Sequence, residues 1–207
     1  MVSFDSNSAL LLVKAFIILI VVMDPPASIP VFLAVTKGMR GEERRRELNH
    51  AVIVATILLL LFAFLGKLIF ELLGISLNSF MIAGGILLLL VSFDLLKGEQ
   101  QCGVLGKDGA GAGVGAVPIG TPLLAGPGAI TAVMVIIQSS GVFVVLVAIF
   151  SAIIATRLVL GQSDRLFDMM GVVGTEVLSR VIGIIVAAIA IEFIGTGIIG
   201  MYQLSLV

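Results

Sequence analysis

Met23-Asp24-Pro25-Pro26-Ala27-Ser28-Ile29-Pro30 interrupts an apolar run that extends from about Ala9 to Thr36. Proline lacks a backbone N–H and clashes with the carbonyl one turn earlier, so this segment breaks a helix in mid-course. A second interruption, Pro122-Leu123-Leu124-Ala125-Gly126-Pro127-Gly128-Ala129, falls in an apolar run that starts near Ala116. In hydrocarbon, freed backbone groups cost several kcal/mol unless satisfied, so such breaks persist where they are buried in protein or line a wet cavity. Two breaks at corresponding places in two halves of a chain point to a binding site near the bilayer midplane.

The rest of the chain fits a membrane setting. Of 207 residues, 59% are hydrophobic and 12% charged, against roughly 25% charged in a soluble domain. The polar residues cannot coat a compact body, so apolar surface must face lipid. A span needs about 20 apolar residues. Six are expected: the two broken runs, Ala51 to Leu73, Leu77 to Leu96, Gly141 to Leu160 and Val177 to Met201. The first run reads as a span and not as a cleavable leader, because no basic segment precedes it and Asp5 does. The expected class is all-α, a polytopic membrane protein with helices 1 and 4 broken.

Lys37, Arg40, Arg44, Arg45, Arg46, Lys97, Lys107, Arg157 and Arg165 fall in the loops after spans one, three and five, against Lys14 and Lys67 on the other side. The bias predicts that the basic 37–50 and Gly-rich 98–115 loops are inside and both termini outside, in a cytoplasmic membrane.

The halves resemble each other. Phe70-Glu71-Leu72-Leu73-Gly74-Ile75 matches Phe167-Asp168-Met169-Met170-Gly171-Val172 in character. One inserted residue later, Gly85 falls on Gly183 and Asp94 on Glu192; earlier in each half, Asp24-Pro25-Pro26-Ala27 falls on Gly126-Pro127-Gly128-Ala129. Three spans per half make the second half enter the membrane inverted. Residues 1–97 are read as the first repeat, 98–115 as a linker and 116–207 as the inverted second repeat.

The breaks suggest their own chemistry. A half-helix N-terminus offers free N–H groups and a partial positive charge to a carboxylate. Half-helix C-termini offer carbonyls to a cation or an ammonium group, so a zwitterion fits between the two. Ser28, Thr121 and Thr131 are candidate hydroxyl contacts. Asp24, and Glu192 inside the last span, are candidates for proton or sodium coupling, because a charge at the bilayer centre costs at least about 2.5–3.5 kcal/mol. Asp24 also suits a capping role before Pro25, and Glu192 a partnership with Arg180. Arg180 itself is more naturally paired with Glu176, one turn earlier.

Other classes find little support. A net charge of −1 leaves no footprint for nucleic acid. One cysteine, Cys102, and one histidine, His50, far apart in sequence, make neither a metal site nor a catalytic set. No cofactor is expected, and the chain is not read as an enzyme. Gly106-Lys107-Asp108 lacks the spacing of a nucleotide-binding loop. A passive channel or an accessory subunit could use the same helices, and a homo-oligomer is compatible with the glycine content.

Asp24-Pro25 with Pro30, and Pro122 to Ile130, resemble the signatures of the MarC family of membrane proteins, and the likeness runs over nearly the whole chain. The resemblance implies a transporter of small neutral amino acids such as glycine, alanine and serine, with proton or cation coupling. By motif it implies Asp24, Pro25 and Pro30 in the first break, and Pro122, Gly126, Pro127 and Gly128 in the second. With Pro26, Ala27, Ser28, Thr121 and Thr131 added from the residues' own chemistry, these form the expected substrate site. The family often has glycine where this chain has Pro26 or Ala27, which makes this break stiffer or more crowded.

Overall fold

The computed structural model describes residues 6–36, 38–97 and 124–205. Six α-helices form there, and no strand is found among the described residues. They are α1 (Ser6–Met23), α2 (Pro25–Val35), α3 (Gly41–Leu73), α4 (Leu77–Lys97), α5 (Pro127–Gly161) and α6 (Ser163–Ser205).

Five stretches are long and apolar enough to cross a membrane: Ala9–Val35, Gly41–Leu73, Leu77–Lys97, Pro127–Gly161 and Val173–Gln203. Six were expected, and the difference lies around the second break. The linker 98–115 and the start of the expected fourth span lie outside the described residues. The helical segment that begins at Pro127 is joined to the expected fifth span in α5, interrupted only at Gly141, whose φ of 84° and ψ of 171° are not helical. Gly171 interrupts α6 in the same way (φ 64°, ψ −176°). That backbone region is open essentially to glycine alone, so the chain changes direction at both places.

Each helix boundary has a local cause. Pro25 and Pro26 open α2 at positions where a missing N–H is harmless. Glu43 accepts the Arg40 N–H at the start of α3 (3.1 Å). At its end Gly74 is left-handed, with the Gly74 N–H donating to Glu71 O and the Ile75 N–H to Phe70 O, a closure that favours glycine. The Ser76 hydroxyl accepts the Ser79 N–H in the turn into α4 (3.0 Å).

The core is built on small residues. Ala51, Ala55, Leu59 and Ala63 recur at every fourth position on the buried side of α3, and Val145, Ala148, Ile149 and Ala152 are buried on α5, which packs against it. Residues four apart share a helix face, and alanine lets two backbones approach closely. Outward-facing residues are apolar too: Ile57, Phe64, Leu68 and Ile184 are all about 60% exposed, as lipid-facing positions should be.

The pairing of α4 with α6 is the tightest. A Cβ added to Gly85 would lie 2.8 Å from the Ala190 carbonyl oxygen and 2.7 Å from Ile194. One added to Gly183 would lie 3.3 Å from the Ser92 carbonyl oxygen and 3.0 Å from Leu95. Further along, one on Gly197 would lie 2.7 Å from the Asn78 carbonyl oxygen. As numbering rises on α6 it falls on α4, so the two helices run antiparallel with backbones nearly touching.

Candidate functional site

Asp24 stands between α1 and α2, and is the single non-glycine residue with positive φ among those described (φ 43°, ψ 64°). Aspartate tolerates this left-handed region better than most residues, at a cost of roughly 1–2 kcal/mol. Three bonds hold the junction. The Asp24 N–H donates to Ile20 O (3.1 Å), the Ser28 N–H to Asp24 O (3.3 Å), and the Ser28 hydroxyl to the same carbonyl (3.0 Å). The carboxylate is buried, at 8% exposure. Its Oδ1 accepts the Ala27 N–H (3.2 Å), which caps α2, while Oδ2 is buried without a hydrogen-bond partner. A buried carboxylate oxygen left unsatisfied is costly and calls for an account.

The second break is built differently. Gly126 precedes Pro127 at the start of α5 and has no side chain to cap it. The Ala129 and Ile130 N–H groups donate to Gly126 O (3.0 and 3.2 Å). Pro127 has no N–H to offer, so the Gly128 N–H is the open donor of the first turn, with no cap from the residue at 126. Leu124 and Ala125, just before, are fully buried.

The fold brings these two breaks together. Gly128 lies against Leu88 of α4 and Val22 of α1, two residues before Asp24. Thr131 fills the space beside Gly84, and Met134 the space beside Gly66. The contact of Val22 with Gly128 sets the start of α5 beside the α1–α2 junction that carries Asp24, so two helix N-termini with their partial positive charges lie near each other, one capped by an acid and the other bare.

Of the expected site residues, Pro25, Ser28, Gly128 and Thr131 are buried, Pro26, Ala27, Pro30 and Gly126 are half-buried, and Pro127 is exposed. Thr121 and Pro122 lie outside the described residues. The hydroxyl protons of Ser28 and Thr131 are used within their own helices, Thr131 donating to Pro127 O (2.8 Å). They have lone pairs left to offer, and no proton. Glu192 stands apart on the exposed side of α6, without a hydrogen bond or ion pair among the described residues. Arg180 pairs with Glu176, as its spacing predicts. No group of three or more metal-ligating side chains occurs among the described residues.

A polar junction that sequence reasoning did not anticipate lies at the basic end. Arg44 donates to both Asp164 oxygens (2.8 and 2.7 Å) and to the Ser163 hydroxyl (2.7 Å), and its guanidinium lies 5.1 Å from the centre of the Phe32 ring. Arg157 donates to Asn49 alongside. The start of α3 is thus fastened to the α5–α6 junction, which brings the basic segments 40–46 and 157–165 to the same end of the bundle. No sequence signal pairs residues this far apart.

Comparison with known proteins agrees with the fold. A family model described as MarC family integral membrane protein matches residues 9–202. The chain is 38% identical over 196 residues to UPF0056 membrane protein MJ1677 of Methanocaldococcus jannaschii, covering 91% of this chain and 96% of that protein. It is 31% identical over 194 residues to UPF0056 membrane protein PYRAB13050 of Pyrococcus abyssi, covering 91% and 96%. It is also 31% identical over 201 residues to UPF0056 membrane protein YvbG of Bacillus subtilis, covering 92% and 95%. No solved structure matches.

Proposed function

The chain belongs to the MarC family of integral membrane proteins, and we propose that it is a secondary transporter of small neutral amino acids such as glycine, alanine and serine, coupled to protons or sodium. The observation that carries this reading is the unequal capping of two adjoining breaks. Asp24 Oδ2, buried and unpartnered, is the complement of an ammonium group or a coupling cation. The open Gly128 N–H at a bare helix N-terminus is the complement of a carboxylate. A small zwitterion satisfies both, and the crowding around Gly128 by Val22 and Leu88 favours a short side chain.

The transporter architecture proposed is a pair of inverted three-span repeats. Four glycines with positive φ support it, because they fall in two pairs: Gly38 (86°) with Gly141 (84°), and Gly74 (66°) with Gly171 (64°). The α4–α6 contact supports it as well. Shifted by 98 residues, Gly85 against Ala190 and Ile194 becomes Gly183 against Ser92 and Leu96, which are the contacts Gly183 makes. In this reading the basic segment 37–50, expected as a loop but helical from Gly41 on as the start of α3, faces the inside of a cytoplasmic membrane. The glycines at 38 and 74 bracket α3, and those at 141 and 171 bracket the latter part of α5 and the opening of α6, so these arms rock against the close packing of α4 on the part of α6 after Gly171.

The test is counterflow and gradient-driven uptake of labelled glycine, alanine and serine in proteoliposomes. Uptake driven by an imposed proton or sodium gradient, and lost in Asp24→Asn, is the expected result. Folded protein that moves none of them sinks the substrate assignment. Flux indifferent to either gradient sinks the coupling and leaves a facilitator.

A further inference from the structure

Glu192 is a carboxyl group on the outer surface of a membrane helix, and its depth can be read from α4. Gly85 packs against Ala190 and Ile194, so Glu192, between them in sequence, is level with Gly85. The helix Leu77–Lys97 has 21 residues, about 31 Å at about 1.5 Å per residue, which matches the hydrocarbon core. Gly85 lies roughly 3 Å along the axis from its middle. Glu192 is therefore near mid-membrane, exposed, and without a hydrogen bond or ion pair among the described residues. No Lys, Arg or His follows Arg180 on α6, and Arg180 is held by Glu176. Lipid tails offer nothing to a carboxyl group, headgroups lie about 15 Å away, and ionisable groups at this depth face protein or water.

We propose that the face of α6 around Glu192 is the interface with a second copy of this chain. Copies in one membrane share an orientation, and a two-fold axis along the membrane normal sets each residue at the depth of its counterpart. A carboxylic acid both donates and accepts, so two meeting at one depth complete each other's hydrogen bonds. The exposed Thr196, one turn on, adds a hydroxyl at the same seam. A different partner would need its own matching group at that depth; a second copy brings one by symmetry. The surface also has the shape for close approach. Ala188 is exposed one turn before Glu192, and Gly195 stands almost one turn after it, where an added Cβ would meet nothing. Small residues on one face of a membrane helix let a partner's backbone come close.

The test is cross-linking in native membranes, with Cys102→Ser as background so that an introduced cysteine stands alone. Ala188→Cys is compared with Ile57→Cys, on the exposed side of α3, and subunit mass is measured in nanodiscs. The interface predicts a cross-linked dimer with Ala188→Cys at least about fivefold above Ile57→Cys, and two-subunit particles. Glu192→Gln, whose amide also donates and accepts, keeps the dimer, while Glu192→Lys weakens it by roughly tenfold or more through like charges on the axis. Single-subunit particles, or equal cross-linking at 188 and 57, overturn the proposal. So does a dimer indifferent to Glu192→Lys.

Discussion

Val22 touches Gly128: a Cβ on the glycine would lie 3.1 Å from Val22 Cγ1 and would also press into the Leu88 side chain. The helix that ends at Asp24 and the helix that starts at Pro127 thus meet within two residues of their breaks. Gly128→Ala should destabilise the protein by about 1–3 kcal/mol, the usual cost of overpacking. Adding Leu88→Ala should recover part of the loss, because the two substitutions share one space. Thermal unfolding of the single and double variants in detergent measures both effects. Simple additivity would mean that the two side chains do not compete.

Asp24 combines a structural and a chemical duty, and Asn separates them. Asparagine caps helices as well as aspartate does and tolerates the left-handed region. Asp24→Asn should therefore unfold within roughly 0.5 kcal/mol of the parent. Asp24→Ala loses the cap and places alanine at positive φ, for a cost of about 2 kcal/mol. Gradient-driven uptake should fall at least about tenfold in both, equivalent to about 1.4 kcal/mol or more of lost interaction. Uptake retained by Asp24→Asn would reduce the residue to a cap.

Glycine has two uses in this chain, and alanine substitution tells them apart. At Gly85 and Gly183 the obstacle is a neighbouring backbone or Cβ, so alanine should force α4 and α6 apart at about 1–3 kcal/mol. At Gly141 and Gly171 an added Cβ meets nothing within 4 Å, yet the backbone sits where L residues rarely go, and alanine should again cost about 1–3 kcal/mol. Gly161, where the nearest atom is 3.8 Å away, should accept alanine with little change. Denaturation midpoints of the five variants check the pattern.

The Arg44–Asp164 pair is partly exposed, with the two side chains 21% and 70% accessible. Its contribution to stability should be small, within about 1 kcal/mol, and should shrink in high salt. Its geometric effect is larger, since it fastens the start of α3 to the start of α6. Arg44→Ala should leave the unfolding temperature nearly unchanged and speed trypsin cleavage at Arg40, Arg45 and Arg46. Unchanged cleavage would show that packing of Leu48 and Phe32 holds this end without the pair.

Parts of this architecture are written locally and parts are not. Asp24-Pro25-Pro26 announces its break because the stereochemistry of proline acts on its own turn, and the open first turn at Gly126-Pro127-Gly128 is readable for the same reason. Gly171 and Gly85 look alike in sequence, each a glycine among apolar residues. Only the atoms that lie against them make one a turn and the other a contact, and the expected span boundary near Gly141 survives as an interruption within α5. The hydroxyls of Ser28 and Thr131 look available in sequence, but their protons bond to carbonyls of their own helices, a choice settled by rotamer. Arg44 and Asp164 stand 120 residues apart, and no short-range pattern can pair them.

The shortness of α2 bears on how the protein is made. With 11 residues it reaches roughly 16 Å at about 1.5 Å per residue, about half a bilayer. The segment from Pro127 to Gly141 is only slightly longer. Neither can rest stably in lipid by itself, α2 with a carboxylate in hydrocarbon and the segment from Pro127 with the open N–H of Gly128. Val22 acquires its neighbour at Gly128 only after a hundred more residues have left the ribosome. The first half must wait during synthesis, in an aqueous crevice or against the insertion machinery, until the second half arrives to close its wound.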